Sequence, residues 1–312
     1  MSNKNSGRKK FMYILGLIFL LLIVYVAIIY LFFPQQVLNF NYKIFQWKAG
    51  LTKKSITIDD YEVTYYDGGH GENLILIHGF SDSKASFLQV AKWLTKKYRV
   101  ILPEVPGFGI TARDKNRRYG IRDQVVFFHK MFEKLQVKEF HLGGNSMGGH
   151  ISAAYTLQYP EQVKSLLLLN AAGVTVIDGL PYQPAPKPVE TMEELNEYMT
   201  YLFVERPFMP GSVQRLFIEN SQKNFEWLNH MRKEIREGKD IILNERVPQI
   251  KQQTLILWGD SDRVVVPQVG ERYHKLLPNS QLKVMKNCAH VPQYERPQET
   301  SEILLAFLQE IK

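Results

Sequence analysis

Five residues, Gly144-Asn145-Ser146-Met147-Gly148, hold the clearest chemistry in this 312-residue chain. They follow the apolar stretch 139–143 and precede a helix-like run, 149–159. A serine in a G-x-S-x-G turn between a strand and a helix is placed as a nucleophile. The turn is too tight for large neighbours, so Gly144 and Gly148 flank it, and the Ser146 hydroxyl is forced onto an exposed crest. The N–H of the next residue, Met147, then points at the oxyanion that forms when the hydroxyl attacks an acyl carbon.

Acyl transfer also needs a base and a group that orients the base. His290, in Cys288-Ala289-His290-Val291-Pro292, lies between the last strand-like segment and the last helix-like one. Asp262, in Trp258-Gly259-Asp260-Ser261-Asp262, follows the penultimate strand, with Asp260 assigned to the turn. The chain order Ser, Asp, His is one of the known orders of such a triad. His290 is the expected base and Asp262 the group that fixes its tautomer. Phe80, after His78-Gly79 at the end of the strand 73–77, is expected to give the second oxyanion N–H, with His78 and Gly79 supporting that loop. Among the eight histidines, His150 reads as a packed helix residue.

These positions require a sheet whose strands end together. Residues 73–77 form a continuous apolar run, as expected of a strand buried on both faces, and 99–102, 140–142, 164–169, 254–258 and 281–285 are further short strand-like segments. Helix-like patterns at 85–97, 122–135, 149–159 and 297–311 alternate with them, which implies a mostly parallel α/β sheet. Ahead of these, 55–66 alternates as a hairpin turning at Asp59-Asp60, and Asp67-Gly68-Gly69 is expected to close it. Between 173 and 254 the pattern changes to a proline-rich stretch, 181–188, and helix-like segments at 192–204, 213–220 and 225–236. A structureless loop of that length is improbable in a compact domain, so the segment reads as an inserted helical cap.

Residues 11–33 contain no charged side chain. As a helix they extend about 34 Å, enough to cross a bilayer with some tilt. A cleaved signal peptide would have a shorter apolar region and a small-residue cleavage site, whereas this one ends Phe32-Phe33-Pro34. Lys4, Arg8, Lys9 and Lys10 precede it, which favours a cytoplasmic amino terminus and a catalytic domain on the other side, periplasmic in a bacterium. The segment 37–47, with Tyr42, Phe45 and Trp47 among lysines, reads either as an interfacial helix or as a plain linker. The expected organisation is a basic tail (1–10), a transmembrane anchor (11–33), a juxtamembrane linker (34–54), a catalytic core in two parts (55–173 and 246–312) and the cap between them (174–245).

The net charge of +8 is scattered, and its tightest cluster abuts the apolar segment, so an anionic membrane surface explains it better than nucleic acid. One cysteine, Cys288, excludes an internal disulfide and argues against a zinc–cysteine site, and H-E-x-x-H is absent. No metal or organic cofactor is implied, and the oligomeric state is left open.

Taken together, His78-Gly79-Phe80, Pro106-Gly107-Phe108-Gly109, Gly144-Asn145-Ser146-Met147-Gly148, Trp258-Gly259-x-x-Asp262, Pro267 and His290-x-Pro-x-x-Glu295-Arg296-Pro297 resemble the serine α/β-hydrolase superfamily from about residue 55 to the end. The resemblance implies the α/β-hydrolase fold, with a mostly parallel eight-stranded-type sheet, helices on both faces and an inserted helical cap. With the amino-terminal helix, the chain is similar to membrane-bound monoacylglycerol lipases of the α/β-hydrolase-domain group and to bacterial lipases and esterases. A lipid ester taken from the bilayer is then the expected substrate. Glu104 departs from the aspartate usual before the Pro-Gly-x-Gly loop, which bears on that loop's bonding rather than on catalysis. Carbon–carbon bond hydrolases and proline iminopeptidases share the serine triad and are the alternatives. The latter need acidic cap residues, and Glu190, Glu193, Glu194 and Glu197 read as a solvated helix face. A non-catalytic binding protein on the same fold is a remote alternative, since such proteins commonly lose a triad member.

Overall fold

The structure, a computed structural model, describes residues 4–176, 187–238, 240 and 242–311. It opens with α1 (Lys4–Phe32) and α2 (Pro34–Lys48), followed by the hairpin β1 (Leu51–Ile58) and β2 (Tyr61–Gly69). Then come β3 (Glu72–Ile77), a short 3-10 turn at Lys84–Phe87, α3 (Leu88–Leu94), β4 (Tyr98–Pro103), α4 (Ile121–Lys134), β5 (Phe140–Asn145), α5 (Met147–Gln158) and β6 (Val163–Leu169). Between β6 and the next strand lie α6 (Met192–Leu202) and α7 (Gly211–Glu237). The chain ends with β7 (Gln253–Gly259), α8 (Pro267–Leu276), β8 (Ser280–Met285), α9 (Pro292–Glu295) and α10 (Pro297–Glu310).

The eight strands form one sheet in the order β1-β2-β4-β3-β5-β6-β7-β8. β2 runs antiparallel to β1 and β4, and every pair from β4 to β8 is parallel. The period of two along each strand divides the core into two layers. Ile75, Ile77, Leu166, Leu168, Ile256 and Trp258 face a layer completed by Phe128 of α4, Tyr155 of α5 and Tyr273 of α8. Their neighbours Leu74, Leu76, Leu167, Leu169, Leu255 and Leu257 face the other, completed by Leu88 and Leu94 of α3 and Leu304, Phe307 and Leu308 of α10. Both faces are covered, which is why these strands read as unbroken apolar runs. Each such side chain contributes about 1.5–3 kcal/mol by burial.

Several expectations are corrected. Asp67-Gly68-Gly69 does not close the hairpin but continues β2, with Gly68 paired to Leu51 on one side and Val100 on the other. Asp67 is there because it joins three strands, accepting Lys54 Nζ at 2.8 Å and Arg99 Nε and Nη2 at 3.0 Å. A Cβ at Gly68 or Gly69 would fall on the carbonyl of Gly50 or Tyr98, so close backbone approach, not a turn, demands glycine. The helix expected at 85–97 is only α3 and the preceding 3-10 turn. The two helices expected at 213–220 and 225–236 are one, α7, because the polar residues between them include neither proline nor glycine. The juxtamembrane segment is not a plain linker. It forms α2, packs on α3, α7 and β1, and half-buries Tyr42 and Phe45 against the core, while Trp47 stays exposed. The proline-rich stretch 181–188 lies outside the described residues except for Lys187 and Pro188.

α1 is different in kind. Its stretch Gly7–Phe32 is long and apolar enough to cross a membrane, with mean hydropathy 3.1, and none of it is buried against the rest of the chain. This is consistent with a membrane anchor.

Candidate active site

The carboxyl ends of β3, β5, β6, β7 and β8 are adjacent in the sheet, and each carries one part of the site. At the end of β5 the backbone of Ser146 has φ 55° and ψ −118°. This conformation is sparsely populated for a residue with a Cβ, and the surroundings must enforce it. They do so through backbone bonds: Ser146 N donates to Leu169 O at 3.0 Å, and Ser146 O accepts Ala172 N and His150 N, both at 3.1 Å. A Cβ on Gly144 or Gly148 would strike the Ile77 carbonyl, so β3 passes hard against both sides of the elbow. As the first residue of α5, Met147 has an N–H that no carbonyl of the helix can take.

After β7, Asp262 is buried and fully engaged. Oδ1 accepts Val264 N at 2.8 Å and Val265 N at 3.0 Å. Oδ2 meets His290 Nδ1 at 2.9 Å and accepts Asn170 Nδ2 at 2.6 Å. A carboxylate taking these donors fixes the proton of His290 on Nδ1 and leaves Nε2 as the basic nitrogen. Asp260 lies in the turn, as expected, where it accepts Ser261 Oγ, and takes no part in this array.

The loop bearing His290 is fastened on three sides. Asn145 Nδ2 donates to His290 O at 2.9 Å, tying it to the elbow. Asn170 Nδ2 reaches Ala289 O at 3.2 Å. Ala289 N donates to Glu295 Oε2 at 2.8 Å. Asn145 was visible only as the variable position of the elbow motif and Asn170 only as a residue after a strand. The one signal for Asn170 is its place at a strand's carboxyl end, beside the strand that leads to Asp262.

The loop after β3 also reaches the elbow, since a Cβ on Gly79 would lie 3.3 Å from Ser146 Cβ. His78 Nδ1 donates to Gly79 O at 2.8 Å, because that oxygen can only accept, and His78 Nε2 receives Val105 N–H at 3.0 Å. The ring is thereby held as the Nδ1–H tautomer and splints the two loops that flank the site. Phe80 packs edge-on against Phe108, with ring centroids 5.1 Å apart, and the Arg232 guanidinium lies over it. Glu104 is fully buried. Oε1 accepts Lys84 N at 2.8 Å, and Oε2 is 2.5 Å from Lys84 Nζ. Burial alone would raise this carboxyl, but the Lys84 ammonium beside it holds it below its ordinary value. His150 is buried with Nε2 donating to Asp240 O at 2.7 Å, and burial lowers it to about 4. It is a packed residue of α5.

The cap is joined to these loops. Trp227 Nε1 donates to Gly107 O at 2.7 Å, and Leu243 N donates to Gly173 O at 2.8 Å where the two ends of the insertion meet. Of the acidic cap residues, Glu194 caps α6 through Thr191, and Glu190, Glu193 and Glu197 are exposed. Among the described residues, no cluster of three or more His, Cys, Asp or Glu could hold a metal ion.

A model of the α/β hydrolase fold family matches residues 72–206 and 214–297. The chain belongs to the α/β-hydrolase family. At the level of the family this α/β hydrolase is a serine ester hydrolase. "Lipase 1" of Psychrobacter immobilis is 31% identical to it over 282 residues, covering 86% of this chain and 89% of that protein. "Monoacylglycerol lipase ABHD6" of Mus musculus is 29% identical over 298 residues, covering 89% of each. The crystal structure of a membrane phospholipase A, described as a bacterial virulence factor, matches the fold with TM-score 0.81 at 33% identity, covering 96% of this chain and 98% of that one.

Proposed function

We propose that this α/β hydrolase is anchored by α1 and cleaves monoacylglycerols or other lipid esters by an acyl-enzyme mechanism. In this mechanism Ser146 Oγ attacks the ester carbon while His290 Nε2 takes its proton. The oxyanion is held by the N–H groups of Met147 and Phe80. His290 then gives the proton to the departing alcohol, and Asp262 stabilises the imidazolium without being protonated itself. Water repeats the sequence on the acyl-enzyme and regenerates Ser146. The observation that carries the reading is the buried Asp262 carboxylate on His290 Nδ1, in a loop bonded directly to the Ser146 elbow. The bare apolar α1 and the names of the relatives support a substrate drawn from the bilayer. The basic residues before α1 favour a catalytic domain on the non-cytoplasmic side.

The test is ester hydrolysis across an acyl-chain-length series that includes monoacylglycerols. Full-length protein is compared with Ser146→Ala and Asp262→Asn. The expected result is a long-chain optimum, with turnover lower by about 10⁶-fold in Ser146→Ala and about 10⁴-fold in Asp262→Asn while the fold is kept. Full activity in Ser146→Ala refutes the mechanism. A short-chain optimum refutes the lipid substrate and leaves a general carboxylesterase. Cleavage of carbon–carbon bonds or proline amides without ester hydrolysis assigns the triad to those chemistries.

A further inference from the structure

The junction between α1 and the cap says where the cap stands relative to the bilayer. Pro34 has no N–H, so the carbonyl of Tyr30, four residues earlier, has no donor within the helix. Ser212 Oγ, at the start of α7, donates to that oxygen at 2.5 Å. The amino-terminal end of the cap helix is thus fastened to the last turn of the apolar stretch Gly7–Phe32. Just before α7, residues 203–210 run without regular structure but are pinned. Val204 N and Glu205 N donate to Glu295 Oε1 at 2.8 and 3.0 Å, Arg206 Nη1 donates to Asn196 O and Oδ1 at 3.2 and 3.1 Å, and Gln214 Nε2 donates to Met209 O at 2.8 Å. Between the pins, Phe208 is 93% exposed. A fixed loop that holds a whole phenylalanine in water leaves unused the transfer of about 150–250 Å² of aromatic surface.

We infer that Phe208 inserts into the same lipid leaflet as the carboxyl-terminal end of α1, so that the cap rests on the bilayer. The argument for lipid as the occupant is continuity. The loop is four residues from a side chain bonded to the backbone of the anchor itself. The inference rests on the anchor reading of α1. It also gives the site an approach from the membrane. Glu295, which takes the N–H groups of Val204 and Glu205 on one oxygen, takes that of Ala289, next to His290, on the other. The loop in the leaflet is therefore one carboxylate away from the base.

The experiment uses full-length protein in phosphatidylcholine–phosphatidylglycerol vesicles. An environment-sensitive fluorophore is placed on Phe208→Cys, on Leu21→Cys within α1, or on Lys138→Cys just before β5, at the strand ends opposite the candidate site. Native Cys288 is fully buried and does not take the label. Emission and its quenching by lipids carrying either a shallow or a deep nitroxide are read. The expected result is a blue-shifted, quenched signal from positions 208 and 21 and a water-like signal from 138. A water-like signal at 208 with quenching at 21 overturns the inference and leaves the anchor intact. No quenching at 21 overturns the anchor reading and the inference with it. Quenching at all three positions shows unselective embedding and also overturns it. Phe208→Ser is then expected to lose turnover of long-chain esters presented in vesicles while keeping that of a water-soluble short-chain ester; equal loss on both counts against insertion.

Discussion

Exchanging Glu104 for glutamine keeps the shape of the side chain and removes its charge. Glu104 is fully buried and Lys84 is 7% exposed, so the variant leaves an uncompensated ammonium in a dry site, 5.7 Å from the centre of the Tyr66 ring. The amide oxygen can still accept Lys84 N, so the loss is electrostatic rather than a missing backbone bond. Breaking a buried pair from one side costs about 3–5 kcal/mol. At about 2–4 °C per kcal/mol for a domain of this size, Glu104→Gln should lower the Tm by about 6–20 °C. Adding Lys84→Met removes the orphaned charge and should restore most of that loss. The assay is thermal unfolding of the four proteins of the double-mutant cycle, each full-length in detergent. A loss under about 1 kcal/mol in Glu104→Gln, or no recovery in the double variant, refutes the reasoning. The pH dependence has a definite sign. The Glu104 carboxyl is held below its ordinary 4.5, so its contribution is complete above pH 4.5 and fades only as pH falls further, through the lowered folded value. Glu104→Gln should lack that acid limb.

Two further outcomes are expected. Asn170→Gly removes the donor to Asp262 Oδ2 while tolerating the backbone φ of 46° at that position. A hydrogen bond to a charged group contributes about 1.5–3 kcal/mol, so kcat/KM on a soluble ester should fall by about 10–150-fold through kcat, with KM nearly unchanged; unchanged kcat contradicts the role. His150 is lowered from 6.5 to about 4, so unfolding takes up a proton between these values and stability is lost as pH falls through them, by up to about 3 kcal/mol. Chemical denaturation of wild type and His150→Gln at pH 7 and pH 5 checks this, and an equal loss in both proteins assigns the acid sensitivity elsewhere.

What could be read from the sequence was whatever a local pattern determines. Residues 74–77, 166–169 and 255–258 lie between two helical layers, so no polar residue interrupts them and their strands are plain. Gly144 and Gly148 are dictated by the approach of β3, and the residues expected to cooperate, Ser146, Asp262 and His290, follow strand ends that the sheet brings side by side. What failed depended on partners distant in the chain. Asp67-Gly68-Gly69 has turn chemistry in isolation, but Lys54 and Arg99 hold Asp67 in a strand. The polar stretch within α7 breaks a hydrophobic pattern without breaking the backbone ladder. Asn145, Asn170 and Glu295 act through carbonyls, N–H groups and a carboxylate from loops far along the chain, and nothing in their neighbours announces it. The departure at Glu104 was legible as a departure, but its physical answer, a buried Lys84 long enough to meet it, was not.

The contacts of the cap argue that chemistry and selectivity are separated in this α/β hydrolase but are not mechanically independent. Every group expected to move a proton or hold an oxyanion stands on a loop after a sheet strand, held by bonds that do not involve the acyl group. The cap supplies none of these groups, yet it is fastened to the same loops. Trp227 bonds the Gly107 carbonyl beside the His78 splint, and Glu295 divides its two oxygens between the cap loop and the His290 loop. Through Ser212 the cap is also fastened to the end of α1. A force that draws the anchor or the 203–210 loop toward lipid is therefore transmitted to the loops at the mouth of the site through a few short hydrogen bonds. Substitutions at Ser212 or Phe208 should then alter which esters reach Ser146 more than how fast a bound ester reacts, whereas those at Asn170 or Asp262 should do the reverse.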